Sequence, residues 1–141
     1  MQNETSAKRW QWVWPATVAG LIVVASSRSI VASPDVDNID KVTHFAVFGL
    51  IGTLVGRLGR GWKAAVWSWL AVAAFGALDE WHQSYVPGRS PEFADWIADA
   101  AGAAVAIALY NGWAGYRRML EMKLGQRRVE KPASVLADSA R

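Results

Sequence analysis

Residues 65–78 read AVWSWLAVAAFGAL, a run with a single hydroxyl and no charge. Wound into a helix, such a run has no polar stripe to turn towards water, so a soluble bundle does not accommodate it. Three further runs share that character. The four predicted spans cover about Trp12–Ile30, Val42–Leu58, Trp62–Leu78 and Phe93–Trp113. Each approaches the roughly 20 residues that a helix needs to cross about 30 Å of hydrocarbon. The expected fold is therefore all-α: a polytopic membrane protein, a bundle of four transmembrane helices in one domain over residues 1–141. Lys8 and Arg9 before the first run also give it the form of a signal peptide, with Ala25-Ser26-Ser27 as small residues near its end. Trp10, Trp12 and Trp14 fit an interfacial anchor instead, and the segment is read as retained.

Lys and Arg set the orientation. With the N-terminus inside, 12 of the 15 basic residues fall in the cytoplasm, and only Arg28, Lys41 and Arg89 fall outside. Both termini are expected to be cytoplasmic. Residues 114–141 then form a basic tail, polar and partly disordered towards its end. Trp14, Trp62, Trp113 and Tyr116 would make the inner aromatic belt, and Trp81, Tyr85 and Trp96 the outer one. This orientation accounts for the net charge of +3 without nucleic acid. The absence of cysteine removes disulfides, zinc-thiolate sites and thiol catalysis, and no haem or nucleotide motif is present.

Between the last two runs lies LDEWHQSYVPGRSPEFADWIADAAG, residues 78–102, unusually rich in ionisable groups. At 1.5 Å per residue, Asp99 stands about 21 Å from Trp113, His44 about 20 Å from Arg57, and Asp79 about 24 Å from Lys63. Three helices thus bring polar side chains to one level, in the outer third of a 30 Å slab. Asp40 and His44, Asp79 and Gln83, and Asp95 and Asp99 are each one helical turn apart. Pro87-Gly88 marks a turn, with Ser90 expected as N-cap and Pro91 as the first residue of the next helix. Arg89 would hang at that helix N-terminus, where an anion is favoured. Glu92 lies one turn before Asp95, and His82 is read as interfacial.

Small residues allow close approach: Ala94, Ala98, Gly102 and Ala106 on one helix, Gly49, Gly52 and Gly56 on another. Asp40, Asp79, Glu80, Asp95 and Asp99 outnumber Lys41, Arg89 and His44. Such an excess, half out of water, requires protonated carboxyls or a bound cation. The structural alternative is a set of ion pairs stapling loops to helix ends.

The ordered series Asp40-Lys41-x-x-His44, Asp79-Glu80-x-x-Gln83, Pro87-Gly88-Arg89 and Asp95-x-x-x-Asp99-x-x-Gly102 resembles the VanZ-like family of bacterial membrane proteins over about residues 38–106. Many relatives carry Asn where this chain has Asp99. The resemblance implies a multi-pass protein of the bacterial plasma membrane with an envelope-related role. The family takes its name from a member associated with teicoplanin resistance, and that phenotype is not carried over to this chain.

Two functions stand open. One is a binding or accessory protein that holds a lipid-linked or cell-wall ligand among membrane lipids, with Asp40, Lys41, Gln83 and Arg89 as binding residues. The other is a membrane enzyme using His44 with Asp79, Glu80, Asp95 and Asp99 as acid/base groups or metal ligands. For the latter, oxygen donors with one imidazole suit Mg²⁺ or Mn²⁺ better than zinc. The sequence leaves the oligomeric state open.

Overall fold

The computed structural model describes residues 11–28 and 39–121. They form five helices: α1 (Val13–Ser26), α2 (Ile39–Gly56), α3 (Trp62–Gln83), α4 (Phe93–Gly112) and α5 (Ala114–Glu121), with no strand among the described residues. The four apolar runs become α1 to α4. Of these, α2 and α4 are long and apolar enough to cross a membrane. α3 has the length, 22 residues, but its last turns carry Asp79, Glu80, His82 and Gln83. α1 is apolar and 14 residues long, and residues 29–30 of the expected first span lie outside the described residues.

Helix ends depart from the expected spans wherever polar residues begin. α2 starts at Ile39 and takes in Asp40 and Lys41, while α3 runs past Leu78 to Gln83. Hydropathy stops at the first carboxylate, but backbone hydrogen bonding does not depend on what the side chain carries. At α4 the expected start is corrected. The helix begins at Phe93 with an extended Glu92 as N-cap, so Ser90 and Pro91 lie in the preceding loop. Residues 114–121, expected as part of a tail, form α5. There Arg117 donates to the carbonyls of Tyr110 and Asn111 at 3.2 and 3.3 Å, satisfying free acceptors at the end of α4. The tail beyond Glu121 lies outside the described residues.

α2 and α4 make the most extensive helix contact, and glycine is the reason. A Cβ on Gly102 would collide with the Phe45 carbonyl oxygen, and one on Gly52 would lie 2.8 Å from Ala103 Cα. The two backbones therefore touch, as small residues on both helices permit. Phe48, Ile51, Val72 and Ala103 form the core, with Val18 and Ile22 of α1 packed against it. Outward-facing positions are apolar, Trp67 (71% exposed), Val42, Leu78 and Val105 among them. The buried set includes Asp79, Glu80, Gln83, Asp95 and Asp99. Large apolar side chains on the outside and several carboxylates inside are exceptions in a water-soluble domain.

Candidate functional site

Polar contacts converge at one end of the bundle. The C-terminal ends of α1 and α3 and the N-terminal ends of α2 and α4 meet there, so the four helices alternate in direction. The loop from α3 to α4 is short. It turns at Pro87-Gly88, where Gly88 (φ 82°) occupies the left-handed region and Arg89 N–H donates to the Val86 carbonyl at 3.1 Å. That is a type II turn with proline and glycine at their favoured positions.

Three networks make up the site. In the first, His44 Nδ1 lies 2.9 Å from Asp99 Oδ1, and His44 Nε2 lies 3.8 Å from Asp95 Oδ2. Asp99 is fully buried (0% exposed) and its Oδ2 has no hydrogen-bond partner among the described residues. Gly76 makes room for it, since a Cβ there would stand 3.1 Å from that oxygen.

In the second, Lys41 Nζ donates to Asp40 Oδ2 (3.0 Å), Glu92 Oε2 (2.9 Å) and Asp95 Oδ1 (3.0 Å). One ammonium with three protons meets three carboxylates. Asp95 thus belongs to both networks, one oxygen in each.

The third joins α1 to α3 and to the loop. Ser26 Oγ donates to Asp79 Oδ1 at 2.6 Å, Gln83 Nε2 donates to Asp79 Oδ2 at 3.0 Å, and Arg89 Nη1 donates to Gln83 Oε1 at 3.0 Å. Asp79 and Arg89 are therefore linked through an amide, not as an ion pair. Among the described residues no carboxylate lies within ion-pair distance of Arg89.

Glu80 connects the networks. Its Oε2 accepts the backbone N–H of Glu92 at 2.9 Å, so an anion does sit at the α4 N-terminus, and it is the protein's own carboxylate. The expectation that Arg89 and the free N–H groups aim at one ligand is corrected accordingly: Glu80 takes that position. Its second oxygen, Oε1, is buried without a partner among the described residues.

All nine residues singled out as candidate site residues lie at this end: Asp40, Lys41, His44, Asp79, Glu80, Gln83, Arg89, Asp95 and Asp99. The ion pairs that the stapling alternative calls for are present at Asp40, Lys41, Glu92 and Asp95 and, among the described residues, absent at Asp79 and Arg89. Sequence reasoning missed three participants. Besides Ser26, Ser27 Oγ lies 3.0 Å from His82 Nε2, so the histidine read as interfacial clasps α1. Trp96, expected in a belt, turns inward and donates to the Ala73 carbonyl at 3.0 Å. The signal for the serines was their place at the end of an apolar run, level with Asp79.

A family model described as VanZ/LLP1 matches residues 2–114. Compared with the curated proteins and with the solved structures, the chain has no significant match.

Proposed function

The chain belongs to the VanZ/LLP1 family, and from that premise we propose that it is a cell-envelope protein of the bacterial plasma membrane. In this reading α1 to α4 all cross the bilayer, both termini are cytoplasmic, and residues 1–141 are one domain. The polar end lies at the outer leaflet and binds a lipid-linked or cell-wall ligand. One observation carries it: buried carboxylates and an Arg89 with no carboxylate partner among the described residues gather at one end of helices with largely apolar outer faces. Polar groups are costly at such depth, and their default meaning is a functional site. Arg89, held by Gln83 and offering its remaining N–H groups, suits a phosphate or carboxylate of the ligand. An antibiotic-response role belongs to the same reading.

The test of binding is native mass spectrometry of the chain released from mild detergent. Wild-type protein is expected to retain an anionic envelope lipid that Arg89→Ala loses while staying folded. An identical lipid complement in both would remove Arg89 from the binding role. Orientation has its own test, because the chain lacks cysteine. An impermeant thiol reagent applied to intact cells is expected to label Ser90→Cys, in the exposed loop. It should spare Ser134→Cys, which lies outside the described residues. The reverse pattern would put the polar end in the cytoplasm.

The 2.9 Å bond between His44 and Asp99 favours a catalytic version of this reading. A buried carboxylate on Nδ1 fixes the imidazole's tautomer and orientation, as a general acid/base requires. Glu80 and Asp95 are its acidic neighbours, and Asp79 lies at the same end of the bundle. Single carboxylate-to-amide changes separate the versions, since a catalytic centre loses nearly all turnover and a binding centre loses affinity by degrees.

A further inference from the structure

Two trios of side chains at the polar end have the donor atoms for a metal ion, and they differ in one respect. Asp40, Glu92 and Asp95 surround Lys41 Nζ, so that trio already has its cation. His44, Glu80 and Asp95 offer donor atoms within 4.8 Å of one another; Lys41 reaches this trio only through Asp95 Oδ1, and among the described residues no Lys or Arg pairs with Glu80 or with Asp99 behind it. We infer that His44, Glu80 and Asp95 form a divalent-cation site, with Mn²⁺ or a cation of similar hardness as the ligand class and Asp99 orienting His44 from behind.

Three observations carry this. Glu80 is only 7% exposed, yet its Oε1 has no hydrogen-bond partner among the described residues, which is costly for a buried carboxylate. In its neutral form, with Nδ1–H donated to Asp99 2.9 Å away, His44 turns the Nε2 lone pair towards Asp95 Oδ2 across 3.8 Å. Two acceptors cannot hydrogen-bond to each other, and at that separation they stand close enough to share a cation bound at about 2.1 Å from each. Finally, carboxylate behind imidazole is the arrangement that orients metal-bound histidine. One nitrogen with carboxylate oxygens is harder than a zinc-thiolate set and softer than the all-oxygen shell of Mg²⁺, which places Mn²⁺ between.

The inference rests on the reading of this end as the functional site, but its test needs no envelope ligand. Lipid retention can be measured with chelator present, so the two fail separately. Tag-free, full-length protein in detergent is stripped with chelator and titrated with Mn²⁺ alone. Loss of the free-ion electron paramagnetic resonance signal is expected to saturate at one Mn²⁺ per chain. Electron spin-echo spectra of the loaded protein should show nitrogen coupling from one imidazole, and the chain has only two histidines. His82→Gln should keep that coupling and His44→Gln should lose it. Glu80→Gln should weaken binding by about a hundredfold and Asp99→Ala by about tenfold. Glu92→Gln, in the trio that holds Lys41, should leave affinity unchanged. The proposal is overturned by non-saturable binding, by saturation without imidazole coupling, by coupling that disappears in His82→Gln, or by binding that Glu92→Gln abolishes. Should His44→Gln or Glu80→Gln fail to fold, wild-type coupling and its survival in His82→Gln decide.

Discussion

Gly102→Ala is expected to destabilise the bundle by about 3 kcal/mol or more, at or above the upper end of ordinary overpacking. Its new methyl would run into the Phe45 carbonyl, a backbone atom that no rotamer change can move aside. α2 and α4 must then separate. Because His44–Asp99 and Lys41–Asp95 span that same contact, separation disrupts the polar end as well as the packing. Gly49→Ala meets its nearest neighbour at an ordinary 3.4 Å and should be tolerated. Gly20→Ala meets nothing within 4 Å, and helix propensity alone should make it neutral or up to about 1 kcal/mol stabilising. Denaturant titration of the three variants in one detergent checks the series. A Gly102→Ala protein as stable as wild type would mean that the helices stand further apart than described.

The second large effect is at Asp79, which holds α1 and Arg89 together through one carboxylate. Asp79→Ala is expected to cost about 2–3 kcal/mol, because the buried Gln83 amide loses its acceptor. Ser26 is less affected, since its hydroxyl also reaches the Ile22 carbonyl at 2.9 Å. Asp79→Asn is the sharper probe. Its oxygen can still accept from Gln83 Nε2, and its NH₂ group can donate to Ser26 Oγ once that hydroxyl turns its proton to the Ile22 carbonyl. The Gln83–Arg89 bond then stays in place. Asp79→Asn should therefore retain most of the stability and the lipid retention assigned to Arg89, whereas Asp79→Ala loses both. Retention lost in Asp79→Asn at near wild-type stability would show that the Asp79 charge itself takes part in binding.

Hydropathy made four helices legible, and the rise per residue made the shared level of His44, Asp79 and Asp99 legible. Both depend on single helices. What stayed hidden depends on rotation and on which neighbour arrives first. Glu80 and Asp79 are adjacent in sequence and face different partners, one the α4 N-terminus and the other Ser26 and Gln83. No periodicity distinguishes them. Ser90-Pro91 has the composition of a helix start, yet α4 begins at Phe93, with its first free N–H served by Glu80 from another helix. Local capping rules weigh only the residues on either side, and a tertiary partner supplied what they sought nearby. Ser26 and Ser27 had the look of a processing site, and only the proximity of α3 gives their hydroxyls a purpose.

The bond from Glu92 N–H to Glu80 also bears on biogenesis. It closes a hairpin of α3 and α4, and on the proposed topology that hairpin moves Asp79, Glu80, Arg89, Glu92, Asp95 and Asp99 past the hydrocarbon during insertion. Taken one helix at a time, α3 would wait with Glu80 lacking the Glu92 N–H that it accepts. Inserted as a pair, the two helices supply Glu80 with a partner from the outset and leave the loop to emerge already turned at Gly88. Lys41, which satisfies Asp95 and Glu92, is by then already delivered on α2, because it precedes them in the chain. The order of synthesis thus presents the lysine before these two acids of α4 and its loop.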